Sequence, residues 1–387
     1  MRLHRLHART QIMLTAVAFA VLTFPDRSLA DGRAFLDRLE TVNQIASTVP
    51  ANGDINPYGV AVVPRSVGAL KRGQVLVSNF NNAANQQGTG TTIVQVSPKG
   101  NVSLFAQIDP SAVAGKCPGG VGLTTALVVL RRGWVIVGSL PTAGGALTAM
   151  SGGCLIVLDS RGQIVETFQG GDINGPWDMT VLDDGNRAWL FVTNVLNGNV
   201  ATGSPPAVNQ GTVVRIPMTV PEQGEGVPTV GPMTIIGSGF AETADPAALV
   251  IGPTGVGLAH DGTLYVADSL NNQIVAIPNA LTRQTTAFTG ITVSFNGALN
   301  APLGLTIAPN GHIITANGGD GNLVETSPGG AQVAVRTVDT VTGAGSLFGL
   351  AIVPGGRGIY FVDDGDNTLK VLEGKELQEN NDNDGDD

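Results

Sequence analysis

Pro57-Tyr58-Gly59-Val60-Ala61-Val62-Val63 is the stretch of sequence that decides the fold, because its pattern returns along the chain. The further copies, from the clearest to the faintest, occupy residues 176–182, 253–259, 302–308, 347–353 and 123–129. Self-similarity at a regular spacing is the signature of architectures built from one repeated supersecondary unit. The chain is therefore predicted to consist of six similar units.

Further short, β-branched runs follow each copy of the repeat. The first copy is followed by Val75-Leu76-Val77-Ser78-Asn79 and then by runs at 92–96 and 102–108, separated by Gly, Pro, Asn and Asp. This punctuation is typical of strands joined by tight turns. Four strands per unit, repeated six times, predict an all-β fold, a six-bladed β-propeller with four-stranded blades. A parallel β-helix or a sandwich fits this repeat less well.

The two ends of the repeat region complement each other. The last repeat stops near Glu373 after only three strands, and residues 41–47 form a strand-like run ahead of the first repeat. We expect this N-terminal strand to complete the last blade, because joining the two ends closes the ring and leaves no large exposed edge.

The ends of the chain are predicted to lie outside the propeller of residues 31–375. Residues 1–30 combine a basic start, an apolar run at 12–24 and small residues at 28–30, which is the order of a secretory signal peptide. An uncleaved membrane anchor is the alternative. Residues 376–387 are predicted to be a disordered acidic tail. We expect a periplasmic or secreted protein without a membrane span once the signal is removed.

The composition limits the partners of the protein. Charged residues make up 13% of the chain, Gly contributes 53 of 387 residues, and the net charge is −10. Low charge with 42% hydrophobic residues indicates an ordered chain with a large core. An acidic surface repels phosphate backbones, which excludes nucleic acid as a partner and favours cations.

The chain contains two cysteines, Cys117 and Cys154, which allow one internal pairing. Disulfides persist in exported proteins. We therefore predict a Cys117–Cys154 disulfide, with two free thiols as the alternative.

The fourth repeat carries a motif that resembles a known family. Val266-Ala267-Asp268-Ser269-Leu270-Asn271-Asn272-Gln273-Ile274 is similar to the NHL repeat, although Gln273 stands where that repeat usually has Arg. Residues 362–369 give a second, looser match. The resemblance implies a six-bladed propeller and leaves function open, since such propellers include enzymes, binding modules and sensors.

A more distant similarity connects the chain with the SMP-30 and gluconolactonase-like propellers. In that group a Glu on the first inner strand, with Asn and Asp, holds a divalent metal at the channel mouth. Here Pro57-Tyr58-Gly59 occupies the place of the Glu. Streptogramin-lyase-like propellers depend on a histidine at this mouth, whereas His260 and His312 fall in turns at the opposite end of the strands.

Asp178 is the strongest candidate for a catalytic residue. It lies on the first strand of its unit, which we expect to run along the central channel from its top mouth, and the equivalent position is Gly in four units and Thr125 in a fifth. A carboxylate pointing into the channel could serve as a metal ligand, a substrate contact or a general base. The alternative is a structural carboxylate that accepts backbone N–H groups and locks the blade.

A second set of candidates stands at the ends of the second strands, which we expect to converge on the same mouth. These residues are Asn79, Ser139, Asn194, Asp268, Asn317 and Asp363. Their oxygens could bind a hard cation such as Ca²⁺ or another divalent ion. The alternative is that they cap their own turns. Asp178, Asn194 and Asp268 form the predicted metal-binding set.

The loops between second and third strands are long in the first three units, and long loops on a rigid scaffold often carry function. Tyr58 and Trp177 beside the mouth could stack on a sugar or another ring, or else pack between blades. The main prediction is a monomeric, non-catalytic module that binds a protein, peptide or glycan through these top-face loops, with no certain cofactor. The alternative is a metal-assisted, lactonase-like hydrolase or lyase using the channel mouth.

Overall fold

The repeats form the blades of a ring. The computed structural model describes residues 33–374 apart from 114–115, 198–205, 247 and 344. The predicted signal peptide, and all of the predicted acidic tail, lie outside the described residues. A short 3₁₀ turn at Leu36–Arg38 precedes strand β1 (Thr41–Ser47).

Six antiparallel sheets follow around one axis, each beginning at the axis and stepping outward. Blade 1 consists of β2 (Ile55–Val62), β3 (Val75–Asn81), β4 (Thr92–Val96) and β5 (Val102–Gln107). Blade 2 consists of β6 (Leu123–Val129), β7 (Val135–Ser139), β8 (Cys154–Leu158) and β9 (Ile164–Phe168). Blade 3 consists of β10 (Pro176–Asp183), β11 (Arg187–Asn194), β12 (Val208–Thr219), β13 (Thr229–Val230), β14 (Thr234–Asp245) and β15 (Leu249–Ile251).

The second half of the ring is more regular than the first. Blade 4 consists of β16 (Pro253–Leu258), β17 (Leu264–Asp268), β18 (Gln273–Ile277) and β19 (Ile291–Phe295). Blade 5 consists of β20 (Pro302–Ile307), β21 (Ile313–Asn317), β22 (Asn322–Thr326) and β23 (Gln332–Thr337). Blade 6 consists of β24 (Leu347–Ile352), β25 (Gly358–Asp363) and β26 (Thr368–Glu373), with β1 as its outer strand.

Strand β1 closes the ring, as predicted. It pairs with β26 in antiparallel register from Thr41 opposite Glu373 to Ser47 opposite Thr368. The side chain of Asn43 adds a hydrogen bond to a Glu373 carboxylate oxygen at 2.9 Å. The edge of β26 is therefore covered by the other end of the same chain.

Every blade breaks its strand pairing near the start of the inner strand, for example between Pro57 and Gly59. In blade 1 the Ser78 hydroxyl fills the break: it accepts the Gly59 N–H at 3.0 Å and donates to the Thr124 carbonyl of blade 2 at 2.9 Å. The Gly59 position is tight, since a Cβ there would lie 2.5 Å from the Ser78 oxygen. Glycine thus allows neighbouring blades to approach at the axis.

Blade 3 is the exception to the four-strand pattern. Its strands β12 and β14 are each 12 residues long, and β14 continues into a hairpin with β15 that pairs Asp245 with Leu249. We call β14 and β15, with the described residues Pro246 and Ala248 between them, the lid hairpin. It occupies a stretch for which the sequence predicted a plain link between blades.

Two further observations bear on the expected environment. Cys117 and Cys154 form the predicted disulfide, which joins the segment before blade 2 to the first residue of β8. No helix within the described residues is long and apolar enough to cross a membrane.

Candidate functional site

The central channel forms a cavity of about 360 Å³ lined by residues of all six inner strands. We call the end where the inner strands begin the top and the end where they finish the bottom. Exposure increases towards the bottom: Phe348 is 1% exposed and Leu350 9%, whereas Ile352 at the end of β24 is half-buried. The same increase runs from Val256 to Leu258. The cavity therefore opens at the bottom.

Aromatic side chains close the top. The ring of Tyr58 stacks between Phe80 and Phe348, with centroid separations of 4.5 and 3.9 Å. Trp177 packs at 6.3 Å from Tyr58 and 6.4 Å from Phe348. Tyr58 and Trp177 are both only 2% exposed. These two residues fill the mouth between the blades, and neither presents a free ring face on which a sugar could stack.

The lid hairpin lies over this aromatic cluster. Leu249 is fully buried and adopts a positive φ of 66°, an uncommon conformation for a residue other than glycine. Next to it, the Val250 carbonyl accepts a hydrogen bond from the Trp177 indole N–H at 3.0 Å. From blade 1, the Gln87 side chain donates to the Pro246 carbonyl at 2.7 Å. Blades 1 and 3 thus hold the lid hairpin down from two sides.

Asp178 lies on the channel wall at the inner, closed end of the cavity. Its carboxylate accepts the N–H of Met179 at 2.8 Å and that of Val256 in blade 4 at 3.2 Å. Its own backbone N–H donates to the Thr193 hydroxyl at 3.0 Å. The structural role considered as the alternative, locking blade 3 to its neighbour, is therefore part of the observed geometry.

The electrostatics of Asp178 are unusual for a carboxyl group. Burial raises its pKa to about 8, against the lowering effect of the two N–H donors, because an apolar surrounding disfavours the charged form. Among the described residues that line the channel, Asp178 is the only one with an ionisable side chain. The channel therefore holds a single carboxyl group that is largely protonated at neutral pH.

The rest of the channel wall is mostly aliphatic, with three hydroxyls from Thr125, Thr180 and Thr306. The Thr125 hydroxyl is buried without a hydrogen-bond partner among the described residues. Thr125 occupies the position in blade 2 that corresponds to Asp178 in blade 3. One available hydroxyl and one neutral carboxyl thus stand on neighbouring inner strands.

Side chains from both faces of the inner strands line the channel. Val62 and Ile307 flank it together with their sequence neighbours Ala61 and Thr306. The inner strand is the first strand of each sheet, so its edge rather than one face is turned to the axis. Side chains from both faces consequently flank the channel.

The residues at the ends of the second strands are buried and make hydrogen bonds or ion pairs within the blades. The Asn194 side-chain oxygen accepts the Asn174 N–H at 3.1 Å. One Asp268 oxygen accepts the amide groups of Asn271 and Gln273, each at 2.9 Å. Neither Asn194 nor Asp268 lines the channel with Asp178. The structure does not bring the predicted metal set together around one point.

The other members of this ring behave in the same way. Asn79 donates to the Thr48 carbonyl at 3.0 Å, and Ser139 donates to the Gly120 carbonyl at 3.0 Å. Asn317 accepts the Asn300 N–H at 3.1 Å. Asp363 forms an ion pair with Lys370 at 2.6 Å. For Asn79, Ser139 and Asn317 the partner lies in the segment that leads into the inner strand of the same blade, not in the residue's own turn. None of these side chains lines the channel.

The residues at the channel do not fit a divalent cation. Ca²⁺ takes six to eight oxygen ligands, with several carboxylates among them. The channel offers one carboxyl, and both of its oxygens already accept backbone N–H groups. No group of three His, Cys, Asp or Glu side chains suited to a metal occurs within the described part of the chain. We therefore derive no chemical step through a metal.

The histidines lie towards the bottom, as their turns predicted. The His312 ring contacts the buried carboxylate of Glu325 at 2.7 Å. His260 is exposed and lines a second cavity of about 470 Å³ at the bottom of the ring. His260 therefore lies on the face opposite the mouth at which the candidate site residues were predicted.

Comparisons with known proteins identify relatives by fold only. No protein-family model matches the chain, and no curated protein matches it in sequence. A gluconolactonase from Xanthomonas campestris superposes with a TM-score of 0.51 at 14% identity, covering 84% of this chain and 88% of that one. The calcium-binding protein regucalcin from Agrobacterium tumefaciens gives 0.51 at 13%, covering 86% and 96%. A PQQ-bound aldose sugar dehydrogenase from Streptomyces coelicolor gives 0.52 at 17%, covering 86% and 98%.

These neighbours confirm the fold and its likeness to the SMP-30 and gluconolactonase-like propellers. They contradict the prediction of a non-catalytic binding module, because the lactonases and the dehydrogenase are named as enzymes, and they favour the lactonase-like alternative. At these identities the likeness shows the fold alone. The chemistry must therefore be argued from the channel itself.

Proposed function

We propose that this protein is a hydrolase of small cyclic esters such as lactones, or a lyase of related substrates, with its reaction centre at the inner end of the central channel. One observation carries the proposal: among the described residues on the wall of a largely apolar cavity of about 360 Å³, Asp178 is the single ionisable one. A concave apolar site with one perturbed carboxyl is the usual form of a small-molecule reaction centre.

The neutral carboxyl of Asp178 supplies general acid catalysis. A protonated acid in an apolar site can donate a hydrogen bond to a substrate carbonyl, whose oxygen gains negative charge when water attacks. As the ring C–O bond breaks, Asp178 transfers its proton to the leaving oxygen. The proton lost by the attacking water then restores the carboxyl group. The products are a hydroxy acid and the unchanged enzyme.

The surrounding residues assist this role in two ways. Aliphatic side chains such as Val181 and Leu350 keep the channel apolar, which maintains the raised pKa of Asp178. The unpartnered hydroxyl of Thr125 can accept or donate a hydrogen bond to the substrate ring. We further propose that the enzyme acts in the periplasm or outside the cell, because a disulfide is stable there.

The test is turnover of a panel of small lactones and esters by wild-type protein and by Asp178→Asn and Asp178→Gly. The Gly variant copies the residue of four sister blades, so the backbone tolerates it at equivalent positions. We expect a loss of at least about 100-fold in kcat in both variants, the typical size of an acid–base contribution. Asp54→Asn is the control, since Asp54 is equally buried but serves Thr91 and Thr92 outside the channel. Undiminished turnover in both Asp178 variants would overturn the proposal.

A further inference from the structure

We infer that the substrate enters from the bottom of the propeller, the face opposite the long loops, and that His260 contacts the far end of an extended substrate. This inference rests on the proposed function, since it assigns an entrance and a substrate class to the same channel. It begins from the closed top, where the aromatic cluster and the lid hairpin leave Tyr58, Trp177 and Phe348 at 2% exposure or less.

The channel continues into the second cavity. Leu258, Ile307 and Ile352 line both the channel and the bottom cavity, so they form a shared rim. We call the bottom cavity the vestibule. Its remaining wall is built of the small or apolar residues Ala308, Pro309, Val353, Pro354, Gly355 and Gly356, together with His260. An apolar passage therefore leads from solvent to Asp178.

Strand geometry gives the length of that passage. Asp178 contacts the N–H of Val256, and Leu258 on the rim lies two residues further along the same strand. At about 3.3 Å per residue the rim is roughly 7 Å from the level of Asp178, and His260 lies beyond it in the turn that follows the strand. Asp178 and His260 are too far apart to exchange a proton directly. They can instead contact opposite ends of one substrate.

These distances define a substrate class. A lactone or ester whose reactive group reaches Asp178 fills the channel, and an apolar substituent longer than roughly 7 Å extends past the rim into the vestibule. His260 is the only ionisable residue on the described vestibule wall. Its ring can hydrogen-bond to a polar group at the end of that substituent. His260 is thus a specificity-determining residue rather than a catalytic one.

The entrance can be tested without any activity measurement. The only two cysteines of the chain are joined in a disulfide, so an introduced cysteine is a unique free thiol. Ile307→Cys places it on the bottom rim, and Leu303→Cys places it in the top cluster of the same strand, where Leu303 is 3% exposed. We expect a small maleimide to react at least about tenfold faster with Ile307→Cys in the folded protein. Faster reaction of Leu303→Cys would overturn the bottom entrance.

Two activity measurements then test the substrate class. Leu258→Trp should obstruct the rim and raise KM at least about tenfold, whereas Leu182→Trp should not, since Leu182 is exposed at an inner-strand end outside both cavities. His260→Ala removes the ring and should raise KM about fivefold for a lactone with a long polar-ended substituent, the value of one hydrogen bond, and by less for a short lactone. Equal effects on short and long substrates would overturn the role of His260.

The two proposals fail in different ways. If thiol labelling finds the bottom entrance but the Asp178 variants keep full turnover, the entrance stands and the acid role of Asp178 fails. If the Asp178 variants lose turnover but Leu303→Cys labels faster than Ile307→Cys, the reaction centre stands and the entrance is at the top.

Discussion

Trp177 and Asp178 are consecutive residues whose side chains lie on opposite sides of the closed top of the channel. The indole N–H of Trp177 donates to the Val250 carbonyl of the lid hairpin at 3.0 Å, which holds the top shut. The carboxylate of Asp178 accepts the Val256 N–H at 3.2 Å and faces the channel below. Burial at this closed end raises the pKa of Asp178 to about 8.

The first prediction concerns the hydrogen bond from Trp177 to the lid hairpin. Trp177→Phe removes the indole N–H and leaves the buried Val250 carbonyl without that donor, which should lower the free energy of unfolding by about 1–3 kcal/mol. Amide hydrogen exchange at residues 248–250 should become faster. Trp189→Phe is the matched control, because Trp189 is half-buried on β11 away from the lid hairpin. Unchanged exchange at 248–250 would show that the indole does not hold the lid.

The second prediction concerns pH. The pKa of Asp178 is raised from 3.8 to about 8, so between these values the folded protein keeps a proton that the unfolded chain has lost. Stability from this group is fully present below pH 3.8 and is lost as the pH rises through about 8, at about 1.4 kcal/mol per pH unit.

Urea unfolding at several pH values checks this dependence. Asp178→Asn should show a shallower loss of stability between pH 5 and 8 than the wild type, because the variant has no group to titrate there. The slope should not vanish, since burial also raises the pKa of Glu242 to about 8 and that of Asp364 to about 7. Parallel pH curves for wild type and variant would contradict the raised pKa of Asp178.

The third prediction concerns the disulfide. Cys117 and Cys154 are 37 residues apart, and a cross-link of that span stabilises a fold by about 4 kcal/mol through the entropy of the unfolded chain. The double variant Cys117→Ala with Cys154→Ala should lose about that amount in urea unfolding. Wild-type protein in reductant is the control, and it should approach the stability of the double variant. A loss near zero would mean that the disulfide does not contribute to the free energy of unfolding.

The fourth prediction concerns the buried carboxylate of Glu325 in blade 5. It accepts the N–H groups of Phe35 at 2.8 Å and Leu36 at 2.7 Å, and it also contacts His312. Glu325→Ala leaves two buried donors unpaired and should lower the unfolding free energy by about 2–5 kcal/mol. Glu325→Gln keeps one acceptor oxygen and should lose less. Equal losses would show that the two N–H groups find other partners.

The sequence alone was enough to predict the features that follow from comparing one repeat with another. The repeated Pro-Xaa-Gly stretch indicated the inner strands, and the missing fourth strand of the last repeat indicated ring closure by residues 41–47, which the pairing of β1 with β26 confirms. Asp178 stood out because its sister positions are mostly glycine, and it does line the channel. Each of these inferences needed only comparison of one repeat with another.

The side on which the channel opens could not be inferred in this way. It depends on the lid hairpin, which has no counterpart in the other blades. It also depends on the positive φ of Leu249, which a leucine in the sequence gives no reason to expect. For Tyr58 and Trp177 the sequence left two interpretations open, stacking on a ligand ring or packing between blades. Contacts between distant parts of the chain made the difference in both cases.

The pairing of β1 with β26 has a kinetic consequence. It joins residues 330 positions apart, so loop-closure entropy opposes the contact until the rest of the ring is formed. Long-range contacts of this kind slow folding. During synthesis the chain can form its early blades, but the ring cannot close before the final strand is available. A nascent or truncated molecule would therefore expose unpaired strand edges of the last blade to other copies of the chain. The yield of correctly folded protein would then depend on when the last strand becomes free to pair.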